Sequence, residues 1–366
     1  MNILYLTKLT ESPFSGTNNC IPEQIYAQSK VDNVFWLQLN HIRKKEWEKD
    51  AYVFHNIDSI EPKISKLPEP FNKPDLVVVQ QFYDYPFSPI IAELQKKKIP
   101  YIIQPHGEFS EGAQKHKRLK KIIANILWFN RMVKKSFAIE YLTENEYNNS
   151  VWKYKRHLVV PNGILLPVFR KKNNPSDEIR ASFIGRLSIS HKGIDVLLEG
   201  VSLVKDELKK SNFILNMYGP DQNGSKKIIQ EKIEMLNLRD IVVLNDSVFG
   251  KTKNKILENT DLFVLTSRRE GHPIALLEAL SYGIPSLVTP GTNMDKEVSQ
   301  YDAGWCAEFD AVAISKALIK IVHSKNEWEN KSVNARKLAS IYSWDEIAKK
   351  AHAEYERMLN ERSQNV

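Results

Sequence analysis

DLFVLTSRREGHPIALLEALSYGIPSLVTPG, residues 261–291, decides how this chain folds. DLFVLTS (261–267) is an apolar, β-branched run of strand length, and Ile274, Leu277, Glu278 and Leu280 follow Pro273 with helical spacing. A strand therefore ends and a helix begins within a few residues. In an open parallel sheet such a junction lies at the carboxyl edge of the strands, where ligands bind. Gly271 lets the backbone approach a ligand closely, and Pro273 in the first helical turn gives up no needed donor. The N–H groups from Gly271 through His272 to Ile274 then suit a phosphate. Glu270 opens this junction. Glu278, eight positions on, sits deeper on the helix, where a carboxylate can accept bonds from two adjacent hydroxyls such as those of a ribose. Taken alone, the spacing is a weak signal, since glutamates on helices are usually solvated.

Outward from this junction the pattern repeats. Short apolar runs alternate with helix-length amphipathic segments, which predicts parallel sheets with crossover helices. In the first half the strands are expected at NILYL, VFWLQL (34–39), DLVVVQ (75–80) and PYIIQ (100–104). In the second half they are expected at IRASFIG (179–185), FILNMYG (213–219), IVVL (241–244), DLFVLT and PSLVT (285–289). FRKKNNPSDE (169–178), charged and containing Pro and Asn, is the strongest linker candidate. Two Rossmann-like domains are expected. One comprises residues 1–168 together with a C-terminal helix in 345–366, the other residues 169–344.

Bulk properties agree with two ordinary globular domains. The 366 residues exceed what one core usually fills, and 42% hydrophobic with 10% aromatic residues supplies two cores. The opening MNILYLTKLT reads as a buried strand and not as a signal peptide, and no stretch is long and apolar enough to span a bilayer. Cys20 and Cys306 lack metal-ligand spacing and imply no disulfide framework. These features predict a cytoplasmic protein. G-x-G-x-x-G after the first strand and G-x-x-x-x-G-K-[ST] are both missing, which removes the main support for a dehydrogenase or a P-loop NTPase.

EGHPIALLEALSYGIPSLV, preceded by FIGRLSISHKGIDVLLEG (183–200) and PNGI (161–164), resembles the family 4 retaining glycosyltransferases, which use nucleotide sugars on the two-domain GT-B fold. The resemblance covers most of residues 155–350 and is diffuse toward the N-terminus. It implies an α/β protein with two Rossmann-like domains facing a central cleft and a C-terminal helix that crosses back to the N-terminal domain. It also implies a hexosyltransferase acting in surface polysaccharide synthesis. By the same resemblance, Arg186 and Lys192 hold the departing diphosphate, Glu270 the donor-sugar hydroxyls and Glu278 the ribose. Fixed cations at that place stabilise the charge that develops as the glycosidic bond breaks. His106, in PHGEFS, matches a family histidine near the donor sugar, and Gly16 takes the place of loop glycines that let the chain approach donor or acceptor. His191 lies outside the pattern and reads as a loop histidine. Asn162 and Gly163 read as a tight turn.

No metal or other cofactor is expected. The chain has no Asp-x-Asp pair, the usual metal ligand of GT-A enzymes, so Arg186, Lys192 and helix-terminal amides must meet the diphosphate charge. The expected partners are a nucleoside-diphosphate sugar and a saccharide acceptor carried on a lipid, with no nucleic acid. A nucleotide-sugar epimerase or phosphorylase of the same fold stays open, as does a basic, non-catalytic adaptor, given a net charge of +8.

Residues 112–139 carry eight Lys or Arg and no acidic residue. Leu119, Ile122, Ile123, Ile126, Leu127 and Phe129 form an apolar set at largely helical spacing there. Such a helix covers the N-terminal sheet or lies on an anionic membrane, peripheral at its inner face.

Overall fold

The structure is a computed structural model that describes residues 1–12, 16–50, 52–110, 113–114, 117–153, 156–168 and 177–364. The chain forms two compact units, Met1–Gly163 with Trp344–Val366, and Ile164–Ser343. Most of the candidate linker 169–178 lies outside the described residues.

The first unit holds a seven-stranded sheet: β1 (Asn2–Thr7), β2 (Asn33–Gln38), β3 (Phe54–Asn56), β4 (Leu76–Gln80), β5 (Tyr101–Gln104), β6 (Ala138–Tyr141) and β7 (His157–Val159). The order is β3-β2-β1-β4-β5-β6-β7, and every pairing is parallel. The second unit holds β8 (Ile179–Ile184), β9 (Phe213–Tyr218), β10 (Val242–Asn245), β11 (Leu262–Leu265), β12 (Ser286–Val288) and β13 (Gly304–Cys306) in the order β10-β9-β8-β11-β12-β13, again all parallel. Both are Rossmann-like. β1 (NILYLT) and β4 (LVVVQ) are almost wholly buried because helices cover both faces of a parallel sheet. Leu4, Leu6, Val77 and Val79 share one core with Ile103 and Phe109, and Phe183, Leu215, Val264 and Leu287 share the other.

Four strands escape the sequence pattern: β3, β6, β7 and β13. β3, β7 and β13 have three residues each and β6 has four. They add to the outer parts of the sheets, where pairing with a neighbour rather than a long apolar run decides the conformation. Helix Trp344–Gln364 belongs to the first unit. It is fastened there by Tyr355 Oη donating to Glu140 Oε2 at 2.6 Å, by His352 Nδ1 at 2.9 Å from Asp32 Oδ1, and by the Lys30–Asp345 pair at 2.7 Å.

Within 112–139 the helix runs Arg118–Ala124, continues as a π turn over Asn125–Phe129, and ends as Asn130–Lys135. Phe129, Met132 and Val133 are buried, while the other five apolar residues of the predicted set are exposed. This helix therefore covers the sheet with its second half only. Gly163 is not a turn residue. A Cβ there would stand 2.5 Å from the Trp344 ring, so close approach of a side chain excludes anything larger.

Candidate active site

In each sheet the chain winds in opposite directions from the first strand and the fourth, so a crevice opens beyond their carboxyl ends. In the second unit those strands are β8 and β11. Arg186 and Lys192 follow β8, and Glu270 follows β11, so the topology delivers them to one place.

Lys192 closes a short helix, Ile189–Lys192, and is followed by Gly193 at φ +62°. A Cβ at Gly193 would lie 2.2 Å from the carbonyl oxygen of Thr266, so glycine lets the two loops touch. Arg268 holds them together. It donates to both carboxylate oxygens of Asp195 at 2.7 Å and to the carbonyl of Ile189 at 2.6 Å, with its guanidinium 4.9 Å from the Phe309 ring centroid. The Arg268 N–H also donates to the His191 carbonyl at 2.8 Å. The consequence is a fixed ammonium: Lys192 Nζ lies 2.5 Å from Glu270 Oε1.

Glu270 is held on several sides. Its Oε1 also accepts from Ser267 Oγ at 2.5 Å, its N–H donates to the Gly291 carbonyl at 2.8 Å, and its own carbonyl accepts from Asn293 Nδ2 at 2.5 Å. Oε1 is thus occupied, and among the described residues Oε2 has no partner. Lys192 has three N–H donors, one of them used by Glu270. Arg186 is exposed and unpaired among the described residues. The side chain of His191 stays uncharged more readily than usual, through burial and then the positive charges of Arg269 and Arg186.

The helix after this loop is Ile274–Ser281, with Pro273 at its N-cap and not in its first turn. The Pro273 carbonyl accepts from Leu276 and Leu277, as a cap residue's does. Because the Glu270 amide is spent on Gly291, the phosphate-binding amides expected here begin no earlier than Gly271. Gly271 is exposed and a Cβ on it would meet no protein atom, so the space beside it is open. His272 is half-buried, its ring 5.2 Å from that of Tyr342. Glu278 is half-buried, and Lys253, from helix Gly250–Glu258, donates to its Oε1 at 2.6 Å. Sequence reading missed Lys253, Ser267, Arg268 and Asn293. Nothing in KTKNKILE separates Lys253 from its neighbouring lysines, and only the packing selects it.

The two remaining candidates belong to the first unit. Gly16 is the first residue of helix Gly16–Gln28 and so does not sit in a loop, while Phe14 and its neighbours at 13 and 15 lie outside the described residues. His106 follows β5 with φ +49°, an unusual conformation for a side-chain-bearing residue. Its Nε2 lies 2.6 Å from Gln80 Oε1, and burial pulls its pKa down to about 4, leaving it neutral. The bond continues through buried amides, from Gln80 Nε2 to Gln24 Oε1 at 3.2 Å and from Gln24 Nε2 to Gln104 Oε1 at 3.1 Å. Nearby, burial and then the charge of Asp84 push Glu108 up to about 7.

Two parallel, doubly wound units are the architecture of the GT-B fold. Residues 167–338, within the second unit, match the family model described as glycosyl transferases group 1. Protein CapJ of Staphylococcus aureus is 26% identical over 293 residues, 74% of this chain and 70% of CapJ. GDP-mannose:cellobiosyl-diphosphopolyprenol alpha-mannosyltransferase of Xanthomonas oryzae is 23% identical over 288 residues, 76% of this chain and 72% of that protein. Among solved structures, sucrose-phosphate synthase from Thermosynechococcus elongatus superimposes with a TM-score of 0.69 at 14% identity, covering 98% of this chain and 99% of that one. The chain is accordingly an enzyme that transfers glycosyl groups.

Proposed function

We propose that this enzyme is a retaining, metal-independent hexosyltransferase that moves a sugar from a nucleoside-diphosphate sugar to a hydroxyl of a lipid-linked saccharide, at the cytoplasmic face of a membrane and in surface polysaccharide synthesis. The carrying observation is that Lys192, Ser267 and Glu270 meet at the switch point of the second sheet, with Arg186, exposed and unpaired among the described residues, in the same loop after β8.

That arrangement divides the labour. Lys192 offers its remaining N–H donors, and Arg186 its guanidinium, to the diphosphate, while Glu270 Oε2 accepts from donor-sugar hydroxyls and Glu278 from the ribose. In the reaction the bond from the anomeric carbon to the diphosphate oxygen breaks, and its electron pair leaves with the diphosphate. An acceptor hydroxyl oxygen bonds to that carbon on the face being vacated, and its proton passes to the departing phosphate oxygen. Fixed cations stabilise the charge as it develops and need little rearrangement to do so. The cations at this edge, Lys192 paired with Glu270 and the exposed Arg186, support meeting that charge with side chains. The lipid-linked acceptor rests on the polyprenol-borne acceptor in the name of the Xanthomonas oryzae relative. The test is incubation with a panel of nucleotide sugars. Release of nucleoside diphosphate that depends on a saccharide acceptor and on Lys192 supports the assignment, and release indifferent to Lys192→Ala ends it.

A further inference from the structure

Five large apolar side chains of one helix stand in solvent. Leu119 is 77% exposed, Ile122 43%, Ile123 59%, Ile126 71% and Leu127 64%. They recur as i, i+3, i+4, i+7 and i+8, a single stripe along the helix. Phe87, from the loop after β4, is 75% exposed, packs on Trp128 with ring centroids 4.0 Å apart, and holds a backbone φ of +51°. A bulky residue is rarely kept both strained and exposed without a use.

The helix is not loose. Tyr83 Oη lies 2.8 Å from Gln114 Oε1 and 3.2 Å from Asn125 Oδ1, Lys121 reaches the Ala113 carbonyl at 2.8 Å, and Phe129, Met132 and Val133 are in the core. The apolar stripe is therefore presented outward by an anchored element. Lys117, Arg118, Lys120, Arg131, Lys134 and Lys135, all exposed, fringe it, and no acidic residue occurs between positions 112 and 139.

We propose that this face docks on an anionic lipid bilayer, with the helix lying in the interface, the stripe and Phe87 entering the acyl boundary and the cations meeting lipid phosphates. The charge selects the occupant. A second copy of the chain would set this cationic fringe against its equal, whereas an anionic bilayer complements it. No described helix is long and apolar enough to cross a membrane, so the contact is peripheral. Each cation near an anionic surface strengthens binding by about fivefold. The biological purpose rests on the lipid-linked acceptor of the preceding section.

The experiment is co-sedimentation of the full chain with phosphatidylcholine vesicles, with and without phosphatidylglycerol, at low salt. The chain should pellet with the phosphatidylglycerol vesicles, remain in solution with phosphatidylcholine alone, and be released as salt rises. Ile123→Ser with Ile126→Asp and Leu127→Ser should weaken binding by about tenfold or more, and so should Lys117→Gln, Arg118→Gln, Lys120→Gln and Lys134→Gln together. Both variants should bind UDP or GDP as the wild type does, since every altered side chain is exposed and outside the second unit. A wild type that ignores phosphatidylglycerol vesicles overturns the docking, as does an apolar variant that pellets unchanged. It also falls if light scattering finds a dimer that Ile126→Asp dissociates while vesicles are ignored. Vesicle binding without any use of nucleotide sugars leaves the docking standing and removes the enzymatic reading, and the reverse result removes the docking alone.

Discussion

The two sheets share a winding scheme but not an edge. Both place their first and fourth strands at the switch point, yet the first sheet ends five of its seven strands in buried Thr, Asn or Gln, while ion pairs follow the strands of the second. β1, β2, β3, β4 and β5 terminate in Thr7, Gln38, Asn56, Gln80 and Gln104, all buried. Gln38 Oε1 accepts from Thr7 Oγ1 at 2.5 Å and from the Leu9 N–H at 3.1 Å, and the neutral His106 joins the row through Gln80. Beyond β8 and β11, by contrast, stand Arg186, the Lys192–Glu270 pair and the Lys253–Glu278 pair. One fold thus builds two different surfaces. A row of satisfied amides is rigid and uncharged and suits hydroxyls, whereas fixed cations suit a diphosphate.

The contrast breaks most visibly at Lys192. Lys192→Ala or Arg186→Ala should each lower turnover on the order of 100-fold or more, with the circular dichroism spectrum retained. Wild-type rates in both variants would mean that the charged edge does not serve the leaving group.

Nucleotide affinity sharpens the division within that edge. Glu278→Gln keeps the shape of the side chain but weakens it as an acceptor, so calorimetric affinity for the free nucleoside diphosphate should fall by about 1–3 kcal/mol. Glu270→Gln should cost transfer far more than nucleotide affinity. Equal losses of affinity in the two variants would contradict the separate roles for sugar and ribose. Lys253→Met, which releases Glu278 from a partly exposed ion pair, should cost about 1 kcal/mol or less.

The neutral edge should show itself in pH dependence. His106 has a folded pKa of about 4 against an ordinary 6.5, so between those values the unfolded chain takes up a proton that the folded chain refuses. Stability contributed by neutral His106 is therefore complete above pH 6.5 and lost as pH falls toward 4. Glu140, raised by burial to about 7, acts in the opposite sense, its contribution being complete below 4.5 and lost as pH rises through 7. Between pH 4.5 and 6.5 the two effects oppose each other, so urea midpoints should fall with rising pH in His106→Gln, where Glu140 acts alone, and rise with pH in Glu140→Gln, where His106 acts alone. Unchanged slopes in both would show that these groups are hydrated and not buried. The smallest expected effect is none at all. Transfer should persist in excess EDTA, and complete loss restored by manganese or magnesium would transfer the charge-neutralising task from Arg186 and Lys192 to a metal.

Legibility followed the same division. GRLSISHKG and EGHPIALLE quote most of the charged edge outright, because a strand-to-helix junction with Gly and Pro leaves a local signature. The first unit gave four of its seven strands, the cationic helix and His106 by resemblance, but not the row of amides that His106 joins. Gln24, Gln80, Gln104 and His106 are scattered over eighty positions, and no local rule joins them. The helix at 118–135 sits between. Its amphipathic pattern is written in the residues, but whether the stripe faces sheet or solvent turned on where the π turn and the buried Phe129, Met132 and Val133 fall.

The sequence by itself determined the parallel sheets, the cationic helix and the order of the charged residues along the second half, because strand length, helical period and turn chemistry are set by near neighbours in the chain. Tertiary structure alone decided which ions meet. Lys192 with Glu270 and Lys253 with Glu278 lie 78 and 25 positions apart. Their pairing depends on strand order and on loops braced by Arg268, Gly193 and Asn293, contacts that exist only once the sheet has closed.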